Sequence, residues 1–249
     1  MHQAFAEVFF EIHSGLARES PGSNKYTRQA FNMLPKLEHP RILDIGCGPG
    51  AATLQLARLT NGDIVALDTH QPFLDRLANE VQEAGFSRRV TTVNRSMFDM
   101  GFPNESFDII WAEGSIYNIG FERGLREWRR LLKHNGFLVA SEVAWLRPNP
   151  PEDIRRFWEE SYPAITTIAE NLRIIRDCGF KLIGHFVLPK DAWDEYYLPL
   201  EQRIRVLREK YDGVPAALQI IAGEQLEIDL YRKYSDWYGY VFFVTQKSG

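Results

Sequence analysis

An acid, Asp44, stands just ahead of the turn Gly46-Cys47-Gly48-Pro49-Gly50, and a second acid, Asp68, closes the next apolar run. Glycines carry no Cβ, so the backbone there can turn sharply and approach a ligand closely. Gly46, Gly48 and Ala51 satisfy the spacing of a dinucleotide fingerprint with alanine in the third place. Asp44 argues for a different ligand, because a carboxylate at that point repels a pyrophosphate and attracts an ammonium or sulfonium group. Asp68 lies roughly twenty residues further on, where an acid accepts both hydroxyls of an adenosine ribose.

S-adenosylmethionine carries an adenosine, an ammonium and no phosphate. Four motifs fit it: Leu43 to Gly50, Ala66-Leu67-Asp68, Asn94-Arg95-Ser96-Met97, and Phe107 to Glu113. On these motifs residues 38 to 146 resemble the class I S-adenosylmethionine-dependent methyltransferases. The resemblance implies a Rossmann-like, doubly wound α/β fold: a mostly parallel seven-stranded sheet with its last strand antiparallel. It assigns Asp44, Gly46, Cys47, Gly48, Pro49, Asp68, Thr69 and Glu113 to the cofactor, with Ser96 and Met97 at the adenine. Many family members have Asp where this chain has Ser96, which weakens that contact. Relatives also close the segment before the first strand over the cofactor, so Tyr26 and Arg28 are expected at its methionine end, Arg28 pairing with the carboxylate. The rival readings are a nicotinamide-dependent oxidoreductase and a non-catalytic cofactor-binding or interaction module.

Open α/β sheets bind substrate beyond the carboxyl ends of their strands. That places Glu113, Tyr117 and Asn118 after the fourth strand, and Glu142 at the end of the fifth, on the substrate side. A sulfonium methyl is already activated, so alignment and exclusion of water do most of the work. A hydroxyl, thiol or protonated amine acceptor still needs a base. Glu113, Glu142, Tyr117 and His185 are the candidates, the first three as catalytic residues. Trp193 and Tyr197 follow strand six closely and are expected to line the acceptor pocket with His185. The aromatic wall there suits a small organic substrate or a methylated amine.

Composition sets the bounds. The chain has 249 residues, 45% of them hydrophobic and 25% charged, which is ordinary for one globular unit. A net charge of -4 gives no reason to expect nucleic acid or an anionic membrane as partner. The basic residues Arg126, Arg129, Arg130 and Lys133 read as a solvated helix face. Two cysteines make no disulfide framework and fit a reducing cytoplasm. Six scattered histidines and no CxxC point to no metal, and no apolar run approaches membrane-spanning length.

The elements that must position these groups follow from periodicity. Phe5, Val8, Phe9 and Ile12 mark an amphipathic first helix, and Ser23 is placed to cap a second, so residues 1–37 form helices over the cofactor site. Strands are expected at Ile42–Ile45, Asp63–Asp68, Val90–Val93, Ser106–Ala112, Phe137–Glu142, Leu182–Leu188 and Tyr238–Thr245. Helices are expected at Ala51–Leu59, Gln71–Gly85 and Phe121–Lys133, the last stopped by Asn135-Gly136. Asn149 can cap a further helix, and Thr167 with Glu170 reads as a capping box. Two helices striped by Leu200, Ile204, Leu207 and by Ile221, Ile228 and Tyr231 make a cap over residues 189–236, inserted between strands six and seven of a single domain spanning 1–249.

Overall fold

The computed structural model describes the backbone from His2 to Gly249 and the side chains from Glu7 onward. Phe5, part of the expected first stripe, therefore lies outside the described side chains. Strands β1 (Arg41–Ile45), β2 (Asp63–Asp68), β3 (Val90–Asn94), β4 (Phe107–Ala112), β5 (Leu132–Trp145), β6 (Thr166–Thr167), β7 (Phe180–Val187) and β8 (Tyr238–Lys247) form one sheet. Its order is β3-β2-β1-β4-β5-β8-β7, with the two-residue β6 paired beside the end of β5. All pairs are parallel except those of β8, which is inserted between β5 and β7 and antiparallel to both. The expected sheet is present, with β6 as an added short strand.

Helices cover both faces. Helices α2 (Asn24–Phe31), α3 (Ala51–Leu59) and α4 (Gln71–Glu83) share one apolar core with α8 (Lys190–Lys210) and α9 (Pro215–Tyr234). Helices α5 (Phe121–Trp128) and α7 (Ile168–Asp177) bury Phe121, Leu125, Trp128 and Ile175 against the other face. In β1, Leu43 and Ile45 serve the second core and Ile42 the first. Period-two alternation therefore turns Asp44 toward α3. The remaining helices are α1 (His2–His13) and α6 (Glu152–Ser161).

Several local expectations change. Helix α5 ends at Trp128, and β5 begins at Leu132 rather than Phe137. Asn135, at φ 59°, bulges this strand, because Leu132 pairs with Phe107 while Phe137 pairs with Ile109. Thus Asn135-Gly136 lies inside a strand and stops no helix. Ser23 occupies the N-cap of α2, but its side chain makes no capping bond. Pro151, not Asn149, sits at the N-cap of α6. Thr167 Oγ1 accepts from the Glu170 amide as a capping box requires, while the Glu170 carboxylate turns to Arg173.

Helix α1 is fastened to the far end of α8: Arg203 donates to the Glu11 carbonyl at 2.6 Å and the Tyr211 hydroxyl to Glu11 Oε2 at 2.6 Å. A strap, residues 14–23, then runs back toward the glycine turn. Arg76 holds its Leu16 carbonyl at 2.6 Å, and the Gly22 amide donates to Ala192 at the start of α8 at 3.0 Å.

Candidate active site

The turn after β1 is held by sterics and by its neighbour strand. The amides of Gly46 and Cys47 both donate to the Leu67 carbonyl, at 2.8 and 3.0 Å. At Gly46, with φ 70°, a Cβ would stand 2.5 Å from the Ser115 Cβ, so only glycine fits. Gly114, with φ 69°, is equally constrained, since a Cβ there would collide with the Ser20 side chain of the strap.

The turn opens onto a cavity of about 560 Å³. At one end Gly46, Gly48, Asp68, Thr69, Ser96 and Met97 line it. Asp68 is fixed by the Gly48 amide on Oδ2 and the His70 amide on Oδ1, each at 2.9 Å. A carboxylate oxygen has two lone pairs, so both oxygens keep acceptor capacity for a ligand. At the other end stand Tyr117, Trp158, Tyr162, Trp193, Tyr196 and Tyr240. Tyr117 keeps 36% of its surface accessible, and it lines the cavity. Burial pushes its phenol upward, so at neutral pH the group donates rather than abstracts a proton.

Asp44 does not line this cavity. It is buried beneath the turn, where Thr53 Oγ1 of α3 donates to Oδ2 at 2.6 Å. Burial, with the nearby Glu113 and Asp68 charges, pushes its carboxyl up to about 7. Its direct contact is to α3. Cys47 and Pro49 are likewise buried behind the turn.

Glu113 is placed differently from its expected catalytic and cofactor roles. Its carboxylate is gripped by Arg18 at 2.7 Å, Thr27 Oγ1 at 2.9 Å and the Trp111 indole at 3.2 Å. Those bonds tie the strap and α2 to the end of β4, outside the cavity lining. Tyr26 is buried on α2 and donates to Asp191 at 2.6 Å, while Arg28 is exposed on that helix. Neither is among the residues that line the cavity. His185 is exposed on the sheet-edge strand β7, stacked on Phe243, because β8 separates β7 from the site. Tyr197 stands behind the wall and donates to Glu227 Oε1 at 2.9 Å. Asn118 and Trp193 do line the cavity. Glu142 is buried beside the Tyr162 hydroxyl, and burial pushes its carboxyl up to about 8.

Sequence reasoning missed the strap and the acids of α9. His13 Nδ1 lies 2.8 Å from Glu19 Oε2, and its Nε2 lies 3.6 Å from Glu224 Oε2. Burial opposes the imidazolium, but the two carboxylates outweigh it and hold His13 up to about 9. Glu19 overlies the glycine turn, its Cγ being 3.4 Å from where a Gly48 Cβ would project. Glu224 and Glu227 also line the cavity. The stripe Ile221, Ile228 and Tyr231 was a usable signal, since Glu224 is three residues after Ile221 and Glu227 four before Tyr231.

Residues 42–136 match the family described as "Methyltransferase domain". Over those residues the chain carries a methyltransferase domain. The chain is 25% identical to the 27-O-demethylrifamycin SV methyltransferase of Amycolatopsis mediterranei, over 99% of this chain and 95% of that protein. It is 28% identical to a sterol 24-C-methyltransferase of Neurospora crassa over 69% of its own length, and spans about half of that relative, 48%. In fold it matches a methyltransferase from Geobacter sulfurreducens solved with S-adenosyl-L-homocysteine, at a TM-score of 0.83 and 20% identity, covering 96% and 97% of the two chains. Among the described residues, no helix is long and apolar enough to cross a membrane, and no group of three or more His, Cys, Asp or Glu is set to hold a metal ion.

Proposed function

We propose that the chain transfers the methyl group of S-adenosylmethionine to a small molecule held at the aromatic end of the cavity, releasing S-adenosylhomocysteine. One observation carries this reading: the glycine turn, the Asp68 carboxylate and the aromatic wall all open onto the same cavity. Its volume is in the range of about 300–1,000 Å³ common to small-ligand sites. The donor, when bound, supplies an activated methyl carbon.

The rest is the work of the chain. Gly46 and Gly48 let the backbone come close to the methionine end, and Asp68 accepts from the ribose hydroxyls. Met97 and Thr69 border the adenine, while Ser96 Oγ already accepts from the Phe98 amide at 3.2 Å. Glu19, on the strap, takes the place at the methionine end expected of Arg28. Tyr117, Asn118 and Trp193 face the acceptor, orient it and exclude water. Glu227, raised toward neutrality by burial, lines the cavity and is the group able to hold an acceptor proton. The free thiols Cys47 and Cys178 fit a reducing, cytoplasmic setting.

Calorimetry tests the reading. S-adenosylmethionine and S-adenosylhomocysteine are each expected to bind at one site, and incubation of the former with a metabolite panel is expected to release the latter. Failure of either to bind folded protein, with binding of a nicotinamide dinucleotide instead, overturns it. Binding without turnover over the whole panel favours a non-catalytic module.

A further inference from the structure

We infer that the acceptor end of the cavity takes a small cationic amine that also carries an oxygen function, its charged nitrogen set against Glu227 and the aromatic wall. This inference names the substrate class of the proposed methyl transfer and rests on that reading.

The first ground is a charge imbalance. Glu224 and Glu227 line the aromatic end, and Glu142 stands behind the lining residue Tyr162. The one basic side chain among the described lining residues at that end is His13, already shared by Glu19 and Glu224. Arg95, the other basic lining residue, is exposed at the adenine end and donates to the Met100 carbonyl at 2.8 Å. Glu227 is left with the Tyr197 hydroxyl as its hydrogen-bond donor. Burial, with the neighbouring Glu224 charge, pushes its carboxyl up to about 7. A cation beside it would restore the ionised form, which a neutral apolar acceptor cannot do.

The second ground is the wall itself. Aromatic faces are negative, and cations bind over them most strongly where water is excluded. Tyr196 and Tyr240 are buried, as is Trp193, whose ring stacks on Tyr231 at 3.9 Å and 12°. The third ground is an unpartnered donor. Trp193 lines the cavity and is 2% exposed, yet its indole Nε1 has no hydrogen-bond partner. A buried donor of this kind calls for an acceptor atom on the ligand, which adds the oxygen function to the ammonium.

The arrangement also solves a chemical problem. An ammonium nitrogen has no free lone pair and cannot accept a methyl group until it loses a proton. The Glu227 carboxylate is placed to take it: the N–H bond breaks, a carboxyl O–H bond forms, and the electron pair stays on nitrogen.

The test uses protein saturated with S-adenosylhomocysteine and two probes of nearly equal shape, choline and its uncharged carbon isostere 3,3-dimethylbutan-1-ol. Calorimetry is expected to show choline binding about ten-fold or more tighter than the alcohol. Glu227→Gln is expected to remove about ten-fold of choline affinity, with affinity for the alcohol and for S-adenosylhomocysteine unchanged. Trp193→Phe is expected to weaken both probes, since it deletes the donor but keeps a ring. Equal binding of the two probes, or binding of neither while S-adenosylhomocysteine is bound, overturns the inference and leaves methyl transfer standing. Failure of S-adenosylhomocysteine to bind is the separate result that removes the functional reading, and the inference with it.

Discussion

Arg18 Nη1 meets Glu113 Oε1 at 2.7 Å, an ion pair whose carboxylate is 2% and whose guanidinium is 10% exposed. It joins the strap to the end of β4 and so sets where the cavity roof lies. A buried pair contributes little over an apolar replacement, but removing one partner strands a charge at a cost of about 3–5 kcal/mol. Arg18→Met is therefore expected to lower Tm by about 6–20 °C. The double variant Arg18→Met, Glu113→Gln is expected to recover most of that loss in thermal melts. If Glu113→Gln slows turnover by orders of magnitude with Tm unchanged, Glu113 acts in catalysis and this account of it is wrong.

His13 gives a pH dependence. The folded imidazolium, facing Glu19 and Glu224 with the rings of Phe9 and Tyr196 around it, holds its proton up to about 9, against an ordinary value of 6.5. Its contribution is complete below pH 6.5 and is lost as pH rises through 9. Tm is expected to fall over that window, and His13→Gln is expected to flatten the slope. An identical slope in the variant would assign the effect to other groups.

Asp44 lowers stability in the same direction, as pH rises, but over a lower window. Its folded carboxyl is raised from 3.8 to about 7, so the cost of ionising it is absent below 3.8 and fully present above 7. Asp44→Asn retains an acceptor for Thr53 and removes the charge. Above pH 7 it is expected to raise Tm by a few degrees and to weaken S-adenosylmethionine several-fold, since the field reaching the donor's positive groups is gone. Unchanged affinity would confine Asp44 to fastening α3.

Gly114 fixes the strap by close approach. A methyl group there meets the Ser20 side chain and must also accept φ 69°. Gly114→Ala is expected to cost about 1–3 kcal/mol and to weaken S-adenosylhomocysteine by about ten-fold or more. Calorimetry alongside a melt separates the two effects, and a variant with native affinity would free the strap from any part in binding.

What sequence showed and hid follows from the range of the interactions. The strand, turn and helix around Gly46, the acid Asp68 and the Thr167 cap are set by neighbours within a few residues, and their patterns stand in the chain. Asp44 lies beneath the turn and outside the cavity lining, and alternation with Ile42 already directs it away from the second core and toward Thr53. Arg18 and Glu113 are 95 residues apart, and the strap carrying Arg18 has no period to read. His185 was placed in the site because strand order is not written locally: nothing in residues 180–187 announces that β8 comes between them and β5. Aromatic residues were visible in the cap, but which of them faced a cavity depended on how α8 and α9 pack on α1.

The insertion of β8 between β5 and β7 has a consequence for how the molecule is made. Until residues 238–247 pair, β7 has no edge to join, and the two long helices that precede them have no fixed anchorage at their second end. Walls supplied by segments far apart in the sequence, Phe10 to Pro21 and Trp193 to Tyr240, can then meet only once β8 is in place. A ribosome-bound nascent chain can carry the glycine turn well before it can carry a chamber in which to use it.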